Sequence, residues 1–336
     1  MAYPIEYFHY TPAPTSFIEM VRGAMKAMTQ CAGVKEGENV VIACDTNKMR
    51  MAEALASAAY AVGGIPTIVC FTPTGAHGRQ VPKPVVGACA KSDVFFFPTT
   101  WSMTHTDARI EAVKNGARGC TMCEATEDAL CTGGILGDYA AADKLGRTLG
   151  AAIAKGSKIR MTSPDGTDLT GEISGRPVQY ETGIFTQSGD FASLPNSEIN
   201  ISPIEGSTEG VLVANIRVMG YGALYDEKVV IEVKEGLITK ISGGHAADYL
   251  RNALAVLDDK RAYNFAEFGI GLNPHCRVKA TNQEDLGHLG HGHHGIGSNY
   301  AIGGNVAAPC HIDVAYSGAV VEVDGVPILD NGKLLI

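Results

Sequence analysis

His311-Ile312-Asp313 stands between the small-residue run AAPC and VAY, a context that reads as a strand or its border. On a strand residues i and i+2 point the same way, so an imidazole and a carboxylate are delivered side by side. Such a pair suits Zn, Mn, Fe or Co as half of a metal site, and it equally suits a structural His–Asp hydrogen bond. Upstream, EDLGHLGHGHHGIGSNY sets four histidines and two carboxylates among glycines. With His275 and His311 these gather six of the chain's ten histidines between residues 275 and 311. Glycines let a backbone approach an ion or a substrate closely. A solvated, weakly chelating loop has the same composition, so both readings stand at this level. No GxGxxG or GxxxxGK[ST] run opens a helix after a strand, which argues against a nucleotide cradle.

The elements that must carry these residues follow from hydrophobic patterning. Between residue 39 and about 160, NVVIACD (39–45), PTIVCF (66–71), DVFFFP (93–98) and RGCTM (118–122) read as buried strands. Helical stretches fill the gaps, one marked by Met51, Ala54, Leu55, Ala58, Ala59 and Val62 and another covering 138–155. Alternating strands and helices predict an α/β domain with a mostly parallel sheet over residues 1–156. Beyond it come short β-prone segments separated by glycine: KIRMTS, DLTGEIS, GVLVANIRV, KVVIEVKEG, LITKISGG and AVVEVDG. They predict a β-rich α+β domain over 157–336, interrupted by helices at 246–257 and 282–290. Glu205 and Glu209 read as parts of a solvated loop.

Composition narrows the function classes. The chain has 336 residues, 36 acidic and 27 basic side chains, a net charge of -9 and no basic block, which argues against nucleic acid as a partner. No apolar run is long enough to span a bilayer, and MAYPIEYFHYTPAP lacks the marks of an export leader, so a cytoplasmic protein without a membrane partner is expected. Nine cysteines, an odd number, fit reduced core thiols such as Cys44 and Cys70. Cys120 and Cys123 form a single CxxC with no second pair to complete a zinc site.

Residues 190–335 carry five segments in order: FASLPNSEINISPIEGSTEGVL, AEFGIGLNP, EDLGHLGHGHHGIGSNY, GGNVAAPCHIDV and VEVDGVPILDNGKL. Together they resemble the C-terminal domain of the aminopeptidase T family of metallopeptidases and of the related 2,5-dihydroxypyridine 5,6-dioxygenases. The peptidase resemblance implies metal ligands at Glu198, Glu267, His293, Tyr300, His311 and Asp313. Two cations close together need several carboxylates to offset and bridge their charge, which this set supplies. The dioxygenase resemblance implies a single iron held by two histidines and one aspartate, with histidine where this chain has Glu267. The peptidases' general base falls here at Leu286 and Gly287, which leaves Glu284, Asp285, His291 or His294 to take that role. In size the chain is closer to the dioxygenases than to the longer peptidases. Comparison with the dioxygenases also points to His105, in TTWSMTHTDAR after the strand DVFFFP, where open α/β sheets bind ligands. A helix-capping role for Thr104 or Thr106 beside an ordinary surface histidine is the other reading.

The expectation is therefore a metallohydrolase with about two divalent cations per chain (Zn, Mn, Co or Fe), by analogy with two-metal enzymes. It would cleave a C–N bond in a small nitrogen-containing molecule and work as a homodimer or larger assembly. The alternative is a mononuclear Fe(II) ring-cleaving dioxygenase.

Overall fold

The computed structural model describes residues 17–336, so the N-terminal segment read for an export leader lies outside the described residues. The described residues form two compact units, one of residues 17–136 and 185–192, the other of 137–184 and 193–336.

The first unit is an α/β domain. Its five-stranded sheet runs in the order Ile65–Phe71, Asn39–Asp45, Val94–Phe97, Arg118–Thr121 and Phe191–Ser193. The first four strands pair in parallel, and the apolar runs Asn39–Asp45 and Val94–Phe97 are buried as strands inside such a sheet must be, whereas Ile65–Phe71 is largely uncovered. Ile65–Phe71 lies at the edge, which leaves Cys70 exposed rather than in the core, although Cys44, its register partner, is buried. All nine cysteines are free thiols, and Cys120 and Cys123 are both buried.

The second unit is β-rich. Eight strands form one antiparallel sheet and seven the other, among the described residues. Ile159, Met161, Leu169 and Ile231 of the first share one core with Ile199, Ile270, Ile296 and Val314 of the second. The Tyr139–Ile153 helix belongs to this unit, so the boundary falls at Leu136/Gly137 and not near 156–160. Its small residues are the reason: a Cβ on Gly146 would stand 2.8 Å from Leu272 and one on Gly150 2.4 Å from Tyr180, so only a glycine face packs this closely on those strands. GVLVANIRV is not one strand but two, Glu209–Ala214 and Arg217–Val218, in different sheets. The helix expected over 282–290 is shorter, Asn282–Gly287, because a strand begins at His291. No helix among the described residues is long and apolar enough to cross a membrane.

Candidate metal centre

The seven-stranded sheet runs in the order Gly222–Ala223, Arg217–Val218, His311–Ser317, His291–Gly297, Phe268–Gly271, Glu198–Ile201 and Val178–Glu181. Its register sorts the side chains. Ile199, Ile201, Ile270, Ile296, Val314 and Tyr316 face the shared core. Period-two alternation then turns Glu198, His291, His293, His311 and Asp313 to the opposite face. Glu267, one residue before its strand, joins them there: its side chain meets His293 and His311.

Two overlapping groups result, Glu198–Glu267–His293 and Glu267–His311–Asp313, each able to hold a metal ion. His293 Nε2 lies 3.6 Å from Glu198 Oε2 and 3.3 Å from Glu267 Oε1. His311 Nε2 lies 3.2 Å from Glu267 Oε2 and 3.1 Å from Asp313 Oδ1. Glycines make the room. A Cβ on Gly269 would sit 2.0 Å from His293 Nε2, and one on Gly295 2.5 Å from His311 Cε1. At both positions a side chain would occupy space that the imidazoles fill.

Neighbouring polar groups hold the ligand candidates in place. Asn196 Nδ2 donates to Glu198 Oε2 at 2.6 Å and Asn200 Nδ2 to Oε1 at 3.3 Å. These asparagines escaped the reading of the sequence, although NSEIN spaces them two residues either side of Glu198, which is the same-face spacing of a strand. His311 Nδ1 lies 2.7 Å from the Ser298 carbonyl; because a carbonyl only accepts, Nδ1 carries a proton and the ring is held with Nε2 toward the carboxylates. The second ring nitrogen of His293, Nδ1, is buried without a partner.

Electrostatics agree with a cation site. Burial works against the Glu267 charge, but hydrogen bonds from His293 and His311 outweigh it and hold the carboxyl well below its usual range. Burial likewise opposes charge on His293 and His311, and the carboxylates, Glu198 and Glu267 for the one and Asp313 and Glu267 for the other, raise both well above the ordinary imidazole value. Three buried or half-buried carboxylates thus draw positive charge to two ring nitrogens, the demand that divalent cations satisfy.

The other candidates fall outside the two ligand groups. Tyr300 is 70% exposed on a 3₁₀ turn, at the surface rather than in the buried group. Glu284 is fully buried and accepts from Arg277 Nε at 3.0 Å and Nη2 at 2.6 Å, and Asp285 accepts from Arg217 Nε at 2.6 Å. Both carboxylates are thereby committed to arginines, which a buried charge requires, and neither falls in the metal-ligand groups. Burial pushes Asp285 up to about 6, with Arg217 opposing that shift. His294 faces the core against Phe265, Phe268 and Tyr316, and burial pushes it down to about 3. His291 shares the metal face, is pushed down by burial to about 4, and carries its proton on Nδ1, 2.9 Å from the Asp285 carbonyl. Its Nε2 is therefore a neutral acceptor. His105 lies in the first unit, exposed before the Asp107–Lys114 helix, and Thr106 at that helix's N-cap makes no side-chain cap. Glu205 is no solvated loop residue: it accepts from Asn299 Nδ2, the Asn305 backbone N–H and Arg176.

With this geometry in hand, comparison with known proteins decides the family. The family model for 2,5-dihydroxypyridine 5,6-dioxygenase matches residues 19–336. The chain belongs to the 2,5-dihydroxypyridine 5,6-dioxygenase family. A 2,5-dihydroxypyridine 5,6-dioxygenase of Pseudomonas putida is 24% identical over 188 residues, which is 53% of this chain and only 54% of that relative. The structure of 2,5-dihydroxypyridine dioxygenase from Pseudomonas putida superposes with a TM-score of 0.80 at 19% identity, covering 96% of this chain and 98% of the other. AmpT (aminopeptidase T) from Thermus thermophilus gives 0.69 at 15% identity, covering 96% and 100%. At these identities the two structures share the fold: a parallel-sheet α/β region followed by a β-rich region. The peptidase link is thus one of structure, and the dioxygenase family is the one matched in sequence.

Proposed function

We propose that this member of the family is a metal-dependent hydrolase with two cation positions that share Glu267, acting on an amide, peptide or cyclic amide or imine bond of a small nitrogen-containing substrate. The observation that carries the reading is the Glu267 carboxylate, one oxygen toward His293 and the other toward His311. Divalent cations bound to such a set polarise a carbonyl or imine and lower the pKa of water. The chain's own residues divide the remaining work. Glu198 and His293 form one pole, His311 and Asp313 the other, and Glu267 serves both. Asn196 and Asn200 fix the Glu198 carboxylate, and the Ser298 carbonyl fixes the His311 ring. His291 Nε2, neutral and on the same face, can take a proton from water or return one to a leaving nitrogen.

The second reading, a mononuclear Fe(II) dioxygenase acting on a dihydroxypyridine, draws its support from the family and from the named activity of the Pseudomonas relative. Against it stands the ligand chemistry, since Glu267, His311 and Asp313 offer one imidazole and two carboxylates where a facial triad uses two imidazoles and one carboxylate. Metal content and oxygen consumption separate the two. The hydrolase reading expects two divalent cations per chain and release of amine or ammonia from small amides without oxygen uptake. One iron per chain with oxygen consumed on 2,5-dihydroxypyridine would overturn it.

A further inference from the structure

The loop between the ligand strands His291–Gly297 and His311–Ser317 has almost no interior of its own: within 298–310 only Asn299 is buried. Apart from the 3₁₀ turn Tyr300–Ile302 it has no regular structure, and SNYAIGGNVAAPC is rich in glycine and alanine, so apolar burial contributes little to its shape. Yet this loop supplies, at Ser298, the carbonyl that His311 Nδ1 meets. That carbonyl shares one planar peptide unit with the Asn299 N–H, which donates to the Val306 carbonyl at 3.0 Å. Whatever fixes Asn299 therefore fixes the direction of the Ser298 carbonyl.

Asn299 is held through both ends of its side-chain amide. Oδ1 accepts the Val306 N–H at 2.8 Å, and Nδ2 donates to Ser202 Oγ and to Glu205 Oε1, both at 2.9 Å. The loop wraps closely round it, since a Cβ on Gly304 would stand 2.0 Å from Asn299 Cγ. Glu205 gathers the rest of the loop. Oε1 also accepts the Asn305 N–H at 2.7 Å, and Oε2 accepts from Asn305 Nδ2 at 3.3 Å. The same carboxylate pairs with Arg176, whose Nη1 donates to the Gly303 carbonyl at 2.6 Å. Bonds to an ionised acceptor are stronger than those between neutral groups, so this carboxylate is the main anchor of a loop that has little else. Ser202 and Glu205 lie on the chain just past the Glu198–Ile201 strand, so the segment that delivers one ligand candidate also anchors the loop that orients another.

We propose that Glu205 is a positioning residue for metal binding: by holding Asn299, Asn305 and Arg176 it sets the Ser298 carbonyl, and through that carbonyl the His311 ring toward Glu267 and Asp313. The proposal requires His311 to be a metal ligand, which the hydrolase and the dioxygenase readings share.

Calorimetric titration of the metal-free protein with Zn²⁺ tests this. With two cations per chain, Glu205→Ala should weaken one ion by about tenfold, as loss of a ligand's hydrogen-bonded support does, and leave the other unchanged. Glu198→Ala, which is expected to retain only the ion of the His311–Asp313 pole, identifies which ion is affected: adding Glu205→Ala to it should weaken that remaining ion by about the same tenfold. Glu205→Gln keeps an oxygen for Asn299 and Asn305 and loses the charge pair with Arg176, so its affinity should fall between those of wild type and Glu205→Ala. It carries the same comparison should Glu205→Ala fail to fold. Equal weakening of both ions would reduce Glu205 to a general contribution to stability and overturn the proposal, as would unchanged affinity in either background. A wild-type chain that binds one ion removes the two-cation reading by itself, and the proposal then stands or falls on whether Glu205→Ala weakens that ion.

Discussion

Glu267 Oε1 lies 3.3 Å from His293 Nε2, with the two side chains 5% and 1% exposed. The other oxygen of the same carboxylate lies 3.2 Å from His311 Nε2. A carboxylate shared in this way couples two ligand groups that the chain draws from three strands and one strand border.

That sharing predicts unequal effects of two substitutions on metal content. Glu267→Gln should lower cation stoichiometry at both positions, and Glu198→Ala at one only, taking two per chain toward one. Elemental analysis of purified variants checks this, and a Glu267→Gln protein that keeps full occupancy would remove Glu267 from the bridging role.

Gly269 is predicted to be intolerant of even one methyl group. Its added Cβ would stand 2.0 Å from His293 Nε2, so the imidazole must leave its position. Gly269→Ala should cost about 1–3 kcal/mol, as overpacking does. It should also weaken metal binding at the Glu198–His293 pole, measured by thermal unfolding with and without added cation. An unchanged cation-dependent shift would show that His293 is not a ligand.

Glu205 supplies a pH dependence with a defined sign. Burial raises its pKa, but the Asn305 backbone N–H and the Asn299 and Asn305 amides outweigh that and hold it down to about 2, from 4.5. A carboxyl depressed in the folded state stabilises above its unfolded value and loses that contribution as pH falls from 4.5 toward 2. Glu205→Gln should therefore be about 1–3 kcal/mol less stable than wild type at pH 7, allowing for partial exposure. Denaturant unfolding at several pH values should show the difference shrinking below pH 4.5.

In the first unit, Arg118 is 7% exposed and bonds Glu38 through Nη1 at 3.0 Å and Nη2 at 2.7 Å, and the Ala32 carbonyl through Nε at 2.8 Å. Arg118→Ala leaves a half-buried carboxylate and a carbonyl without their donor. It should destabilise by about 3–5 kcal/mol. Metal content per folded chain should not change, and a loss of metal would place Arg118 in the site's support.

Residue pattern alone reached the strand Asn39–Asp45, the helix Tyr139–Ile153 and the placement of His311 and Asp313 on one face of a strand. These depend on local periodicity, which neighbours along the chain express directly. HGHHGIG gave no such signal, since glycine and histidine are poor strand formers and only Ile296 is β-branched, yet it is a fully buried strand between Phe268–Gly271 and His311–Ser317. Its conformation comes from pairing on both sides, and its Gly295 leaves room for the His311 imidazole. The fates of Glu284 and Asp285 were likewise hidden, because what removes them from the site is the arrival of Arg277 and Arg217. Sequence by itself determined which residue types were available for a cation site and which of them alternate onto one face of their own strand. Only the tertiary structure decided which strands adjoin, and so whether Glu198, Glu267, His293, His311 and Asp313 meet, because register across a sheet is set by long-range pairing and packing rather than by any local preference.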